Sequence, residues 1–203
     1  MFVIGLTGGI GSGKTEACKI LDSLGAKSIN ADTFGHNVYK KNTNAWVKIV
    51  KVFGTNILDI NGNIVRSKLA NHVFASKSEL HKLNKITHPE IKKLVIKELN
   101  QFRLNNIQIA VVEAAILIEA RWQDIVEEVW SIESKSSIIL NRIKNRDNID
   151  KAAIKSRIEA QIDNKTRSKH SDIVITNNGS IEELKTILTE IWKRKFIANN
   201  KES

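Results

Sequence analysis

Lys14 and Thr15 stand directly behind the glycine-rich run Gly8-Gly9-Ile10-Gly11-Ser12-Gly13, and Gly8-x4-Gly13-Lys14-Thr15 has the spacing of a P-loop. The chemistry this serves is the capture of a densely anionic tail. Glycines leave room for successive backbone N–H groups to turn inward as a nest, and the start of a helix adds unpaired N–H groups and a positive dipole end. Lys14 is expected to reach the β- and γ-phosphates of a nucleotide, and the Thr15 hydroxyl to sit on Mg²⁺. The expected nucleotide-binding set is Gly9, Gly11, Ser12, Gly13, Lys14, Thr15 and Glu16. A dinucleotide fingerprint starting at Gly9-x-Gly11 needs a third glycine at position 14, which is lysine.

The elements around the loop have to aim it. Phe2, Val3, Ile4 and Leu6 form a short apolar run that suits a strand covered on both faces, and Ala17, Ile20, Leu21 and Leu24 keep helical spacing behind the loop. Gly25 is expected to cap that helix, with a second strand over 26–31. Asp32 then stands where strand gives way to helix. Carboxyl ends of strands face the ligand crevice in an open α/β sheet, so Asp32 is a candidate to orient a substrate hydroxyl and accept its proton. Capping the following helix is its alternative role.

Residues 33–106 read as almost wholly helical, interrupted at Gly54 and at the turn 59–62, with His88-Pro89 expected to break one helix and Pro89 to open the next. Residues 107–112 read as a third strand ending at Glu113. Glu113 and Glu119 are both candidates for holding Mg²⁺ through water. A fourth strand is expected over 126–132 and a fifth over 172–176, before a last helix capped by Ser180-x-x-Glu183. Between the last two strands, Arg142 and Arg146 share a helix face. Asp150 can cap a second helix carrying Arg157 and Gln161, and the pair of helices reads as a closing lid.

At 203 residues the chain suits one α/β domain with insertions, and its single cysteine excludes an internal disulfide framework. Cys18 falls beside the apolar stripe of the first helix, where a buried inert thiol is expected. No basic leader or long apolar run stands in the sequence, so a cytoplasmic protein without membrane partners is expected. A net charge of +10 raises nucleic acid as a partner. The lysines are spread along the chain and stacking aromatics are few, which favours a small anionic substrate. Asp59-x-x-Gly62 lacks a later guanine-reading motif, and the five histidines show no metal-ligand spacing.

Taken in order, LTGGIGSGKT (6–15), NADTFGHNV (30–38), THPEI (87–91), VVEAAILIEARWQ (111–123), RIKNRD (142–147), RIEAQ (157–161) and SDIVITNNGS (171–180) resemble the dephospho-CoA kinase family over nearly the full length. The segment EAAILIEARWQDIVEEVW is similar to the kinase domain of bifunctional CoA synthase. The resemblance implies ATP-dependent phosphorylation of the ribose 3′-hydroxyl of dephospho-CoA, giving coenzyme A and ADP. It implies an α/β P-loop, nucleoside-monophosphate-kinase-like fold with a five-stranded parallel sheet (core 1–32, 107–134 and 172–198), a helical substrate-binding insert (33–106) and a lid (135–171). Asp32, Lys14 and Arg142 carry the implied chemistry. Arg142 and Asn177 add to the nucleotide site, Thr15 to the metal site, and Asp32, His88 and Glu119 to the acceptor site. A monomer or weak homo-oligomer is expected. Three departures from the family pattern stand in the sequence: Asn30 replaces the first Asp of Asp-Ala-Asp, Ala115-Ile116 replaces Pro-Leu, and Arg121 replaces a glycine before Trp122. The rival readings are another P-loop kinase acting on a nucleoside monophosphate or small metabolite, and a nucleotide-dependent binding module without phosphoryl transfer.

Overall fold

A computed structural model describes residues 1–74, 76–147 and 161–198. The Arg146 side chain, Asp150 and Arg157 fall outside the described residues. Two units divide the chain, the first holding residues 1–29 and 101–203, the second 30–100.

The first unit is built on a sheet of five parallel strands in the order β2-β3-β1-β4-β5. These are β1 (Phe2–Gly8), β2 (Lys27–Asn30), β3 (Ile109–Glu113), β4 (Glu128–Glu133) and β5 (Ile173–Thr176). β1 runs down the middle, with Leu6 level with Glu113 of β3 and Thr7 level with Ser131 of β4. Its Val3, Ile4 and Leu6 are fully buried, as the apolar run requires of a strand covered on both faces. Helix α1 (Lys14–Ser23) and a helix near the C-terminus (Ile181–Trp192, numbered α8 below) bury Ala17, Ile20, Leu21, Leu184, Leu188 and Trp192 in one core with Ile4, Leu6, Trp130 and Ile132. Phe196 extends that core edge-on to Phe2 and tilted against Trp192. Helices α6 (Ser136–Asp147) and α7 (Asn164–Lys169) lie in sequence between β4 and β5.

The second unit is helical, with α2 (Ala31–Val38), α3 (Asn44–Phe53) and α4 (Arg66–Phe74), followed by α5 (Lys77–Leu104), which ends in the first unit. Here the expectation at Pro89 is overturned. α5 is a single 28-residue helix with Pro89 inside it. An interior proline costs a helix about 3 kcal/mol. Leu83, Thr87, Ile91, Val95 and Leu99 recur every fourth residue and are all buried, so one continuous packed row outweighs one missing backbone bond. Thr87 fits that row by donating its hydroxyl to Leu83 O.

Two helices and the turn over 115–121 end alike. Ala26 N bonds Leu21 O while Gly25 N bonds Asp22 O; Ile107 and Asn106 repeat the pattern on Phe102 and Arg103; Trp122 and Arg121 repeat it on Leu117 and Ile118. This is the Schellman closure, whose pivot adopts a left-handed backbone. The pivots Gly25, Asn106 and Arg121 have φ of 110°, 56° and 55°. Glycine and asparagine tolerate that region, whereas an arginine Cβ costs about 1–2 kcal/mol there. The family's glycine before Trp122 is thus the residue the backbone prefers. Arg121→Gly is expected to stabilise the protein by up to about 1 kcal/mol, partly offset by unfolded-chain entropy. A raised urea midpoint at unchanged m-value would show it.

Candidate functional site

Between β1 and α1 the backbone makes the expected nest. Gly11 and Gly13 are left-handed, with φ of 71° and 101°, and Gly13 is also walled in: a Cβ there would lie 2.3 Å from Asn177 Nδ2. The side chain of Ile10 anchors the loop by packing against Ile139 and Ile143 of α6. Lys14 arches back so that its Nζ donates to Gly8 O at 2.9 Å and to Gly9 O at 3.3 Å. The Ser12 hydroxyl is buried at the loop without a hydrogen-bond partner among the described residues.

Asn177 and Arg142, both expected near the nucleotide, meet in one network. Asn177 Nδ2 donates to Ser12 O at 2.8 Å, and Ser134 Oγ donates to Asn177 O at 2.6 Å. Arg142 Nη1 reaches Ser134 Oγ and Asn177 O, while Nη2 reaches Asn177 Oδ1 and Gly179 O, all at 3.2–3.3 Å. The guanidinium therefore grips the turn after β5 and, through it, the loop. Ser134, which the sequence did not single out, is the hub.

Glu113 and Glu119 meet different partners. Thr15 Oγ1 donates to Glu113 Oε1 at 3.0 Å, and Glu113 is buried at the carboxyl end of β3. A threonine hydroxyl and a carboxylate beside a phosphate nest are hard oxygen donors of the kind Mg²⁺ shares with a substrate phosphate, so the residues fit that ion. Glu119 lies elsewhere in the first unit, where its Oε1 accepts the Ile162 amide at 3.4 Å. Glu16 offers the nucleotide site its backbone only, since its carboxylate pairs with Lys19 on the exposed face of α1. Cys18 is buried on the same helix, and that burial, with Glu113 beside it, holds its thiol well above the ordinary range.

Two further residues border the loop. Gln161 Oε1 accepts the Ile10 amide at 2.9 Å, across 151 positions of sequence. Arg167 is only 1% exposed, and its Nη1 would lie 3.9 Å from a Cβ on Gly9. Burial pulls this guanidinium down from its usual range, opposed by Glu119, Glu133 and Asp163. The sequence placed Gln161 in a lid and offered no sign of Arg167, whose neighbours Lys165, Thr166, Ser168 and Lys169 read as a solvated surface.

The remaining expected residues belong to the second unit. Asp32 follows the end of β2 directly and lies in the first turn of α2. The cap of α2 is Asn30, whose side chain accepts from Thr33 N at 3.3 Å. Capping, one alternative role for Asp32, is thus carried by the residue that departs from the family pattern. His88 sits within α5, and burial together with His81 lowers its pKa, which keeps its ring neutral at neutral pH.

Comparison with known proteins bears on the whole chain. A family model described as dephospho-CoA kinase matches residues 2–183. The dephospho-CoA kinase of Dehalococcoides mccartyi is 37% identical over 196 residues, covering 97% of this chain and 98% of the relative. That of Geobacter sulfurreducens is 38% identical, covering 97% and 100%. Among solved structures, the dephospho-CoA kinase from Campylobacter jejuni superposes with a TM-score of 0.70 at 27% identity, covering 97% of this chain and 98% of its own.

Two outcomes test the geometry. Gly13→Ala forces a left-handed alanine into Asn177, so ADP affinity is expected to fall at least ~10-fold with the circular dichroism unchanged, as titration calorimetry would read. Cys18 is expected to stay unmodified by a disulfide reagent at neutral pH and to react at least ~100-fold faster in denaturant.

Proposed function

The chain belongs to the dephospho-CoA kinase family, which transfers the γ-phosphoryl group of ATP to the ribose 3′-hydroxyl of dephospho-CoA in the final step of coenzyme A synthesis, and from that premise we propose how its residues divide the work. The observation that carries the assignment is the Thr15–Glu113 hydrogen bond behind the Gly8–Thr15 nest, with Lys14 folded over the same loop. Backbone N–H groups between Gly9 and Glu16 take the phosphates, apart from those of Ile10 and Ser12, which are bonded to Gln161 and to Gly9 O. Lys14 exchanges the carbonyls of Gly8 and Gly9 for the β- and γ-oxygens and neutralises charge that develops during transfer. Thr15, supported by Glu113, would hold Mg²⁺, and the ion would supply charge neutralisation to the phosphates.

Arg142 and Asn177 shape the nucleotide side of the site. In the arrangement described, Arg142 serves the transferring group through the Asn177 turn and the loop; direct contact with the phosphoryl requires it to leave those partners. Asp32 orients the acceptor hydroxyl and takes its proton. Its place directly after a strand's carboxyl end, relieved of capping by Asn30, supports that role. His88, neutral, contributes hydrogen bonding rather than charge to the acceptor side. Glu119 is assigned to the acceptor on the family resemblance, and its contact in this structure is with the Ile162 amide, next to Gln161. Residues 33–106 bind the acceptor, and 135–171 act as the lid. No helix among the described residues is long and apolar enough to cross a membrane. We place the enzyme in the cytoplasm, as a monomer or weak homo-oligomer.

Incubation with ATP, Mg²⁺ and dephospho-CoA is expected to yield coenzyme A by mass, with AMP, CMP and dTMP left unphosphorylated. Asp32→Asn is expected to lower kcat by at least ~10²-fold while ATP affinity holds. Near-normal turnover in that variant would remove Asp32 from the chemistry.

A further inference from the structure

The loop limb formed by Gly9 and Ile10 is held by a side chain from far along the sequence. Gln161 Oε1 accepts the Ile10 amide at 2.9 Å and would lie 3.7 Å from a Cβ on Gly9. With its oxygen engaged, the carboxamide keeps two N–H donors and no charge. Its own position is fixed on both sides of the next residue. The Ile162 amide donates to Glu119 Oε1, and the Ile162 carbonyl accepts from Arg167 Nη2 at 2.9 Å. Arg167 in turn donates from Nη1 to Asn164 Oδ1 at 2.9 Å, and its buried Nε has no hydrogen-bond partner among the described residues. A cation is thus buried against the limb that Gln161 touches.

This limb is also where Lys14 places its ammonium, on the carbonyls of Gly8 and Gly9. In a P-loop the lysine reaches the β- and γ-phosphates while the amides at the helix start take the α- and β-phosphates. The Gly9–Ile10 limb therefore faces the free end of the tail. We propose that Gln161 reads the terminal phosphoryl group of the bound nucleotide, with Arg167 and Glu119 as positioning residues that hold it on the loop. The proposal rests on the reading of Gly8–Thr15 as the triphosphate site. It adds a residue that tells ATP from ADP.

The test compares Gln161→Ala with Gln161→Glu by calorimetric titration of ADP and of a non-hydrolysable ATP analogue, each with Mg²⁺. Glutamate keeps an oxygen for the Ile10 amide but sets a negative charge beside the terminal phosphoryl; alanine removes both. If Gln161 reads that group, ADP affinity stays within about 2-fold in both variants. The analogue then weakens about 5-fold in Gln161→Ala and at least ~10-fold in Gln161→Glu. A residue that only braces the loop gives the opposite order, with glutamate close to wild type and alanine weakening both ligands equally; that result overturns the proposal. Failure of the wild-type protein to bind either nucleotide would remove the underlying reading as well, which separates the two failures.

Discussion

A triphosphate tail has to be met by backbone N–H groups on a loop that has no ladder of its own to hold it in shape. The bonds described here solve this by securing the loop chiefly through its carbonyls. Ser12 O takes Asn177 and Ser134, and Gly8 O and Gly9 O take Lys14. With those acceptors satisfied from within, inward-turned amides and the helix dipole are left for the ligand. Ile10 and Ser12 are exceptions: the Ile10 amide is spent on Gln161 and its side chain on α6, and the Ser12 amide on Gly9 O. Lys14 is the contact that substrate can replace, because an ammonium gains more from phosphate oxygens than from two carbonyls.

Parallel pairing explains why residues so distant in sequence converge there. β1 lies at the centre of the sheet, so the carboxyl ends of its neighbours arrive at the same rim. β3 delivers Glu113 level with Leu6; β4 leads into Ser134; β5, whose Thr176 is level with Glu133, leads into Asn177. The left-handed backbone at Gly13 then lets Asn177 approach the loop closely. The site is therefore only as rigid as the core beneath it, in which Ile4, Leu6, Trp130 and Ile132 are completely buried.

The nest, its lysine and its threonine were legible because their chemistry is written in consecutive residues. The five strands were legible from apolar runs between turn signals, with ends misplaced by a residue or two, as hydrogen bonding rather than composition sets where a strand stops. Pro89 misled because a local helix-breaking rule was weighed without the buried row every fourth residue that carries α5 through it. Glu113 and Glu119 could not be ranked because their difference lies in which neighbour each meets, and strand register decides that. Ser134 and Arg167 gave no signal at all. One is a serine just past a strand, the other an arginine in a lysine-rich hexamer, and only the tertiary structure buries them.

Arg167 also shows how burial can be read for function. Taking a guanidinium out of water costs several kcal/mol even after relaxation, and an apolar side chain of similar volume often stabilises such a position better. Here the charge faces Glu119, Glu133 and Asp163, yet its Nη1 and Nη2 donate to an amide oxygen and a backbone carbonyl, and Nε has no partner among the described residues. Folding alone gives little reason for that arrangement. A nucleotide tail held against the Gly9–Ile10 limb would add negative charge to that of the three carboxylates. The same logic covers Glu113, a buried carboxylate whose hydrogen bond from Thr15 aligns it with the site of a divalent cation. The two buried charges thus flank the loop from different elements: Glu113 takes the Thr15 hydroxyl at the helix start, and Arg167 fixes the Ile162 carbonyl beside the limb that Gln161 touches.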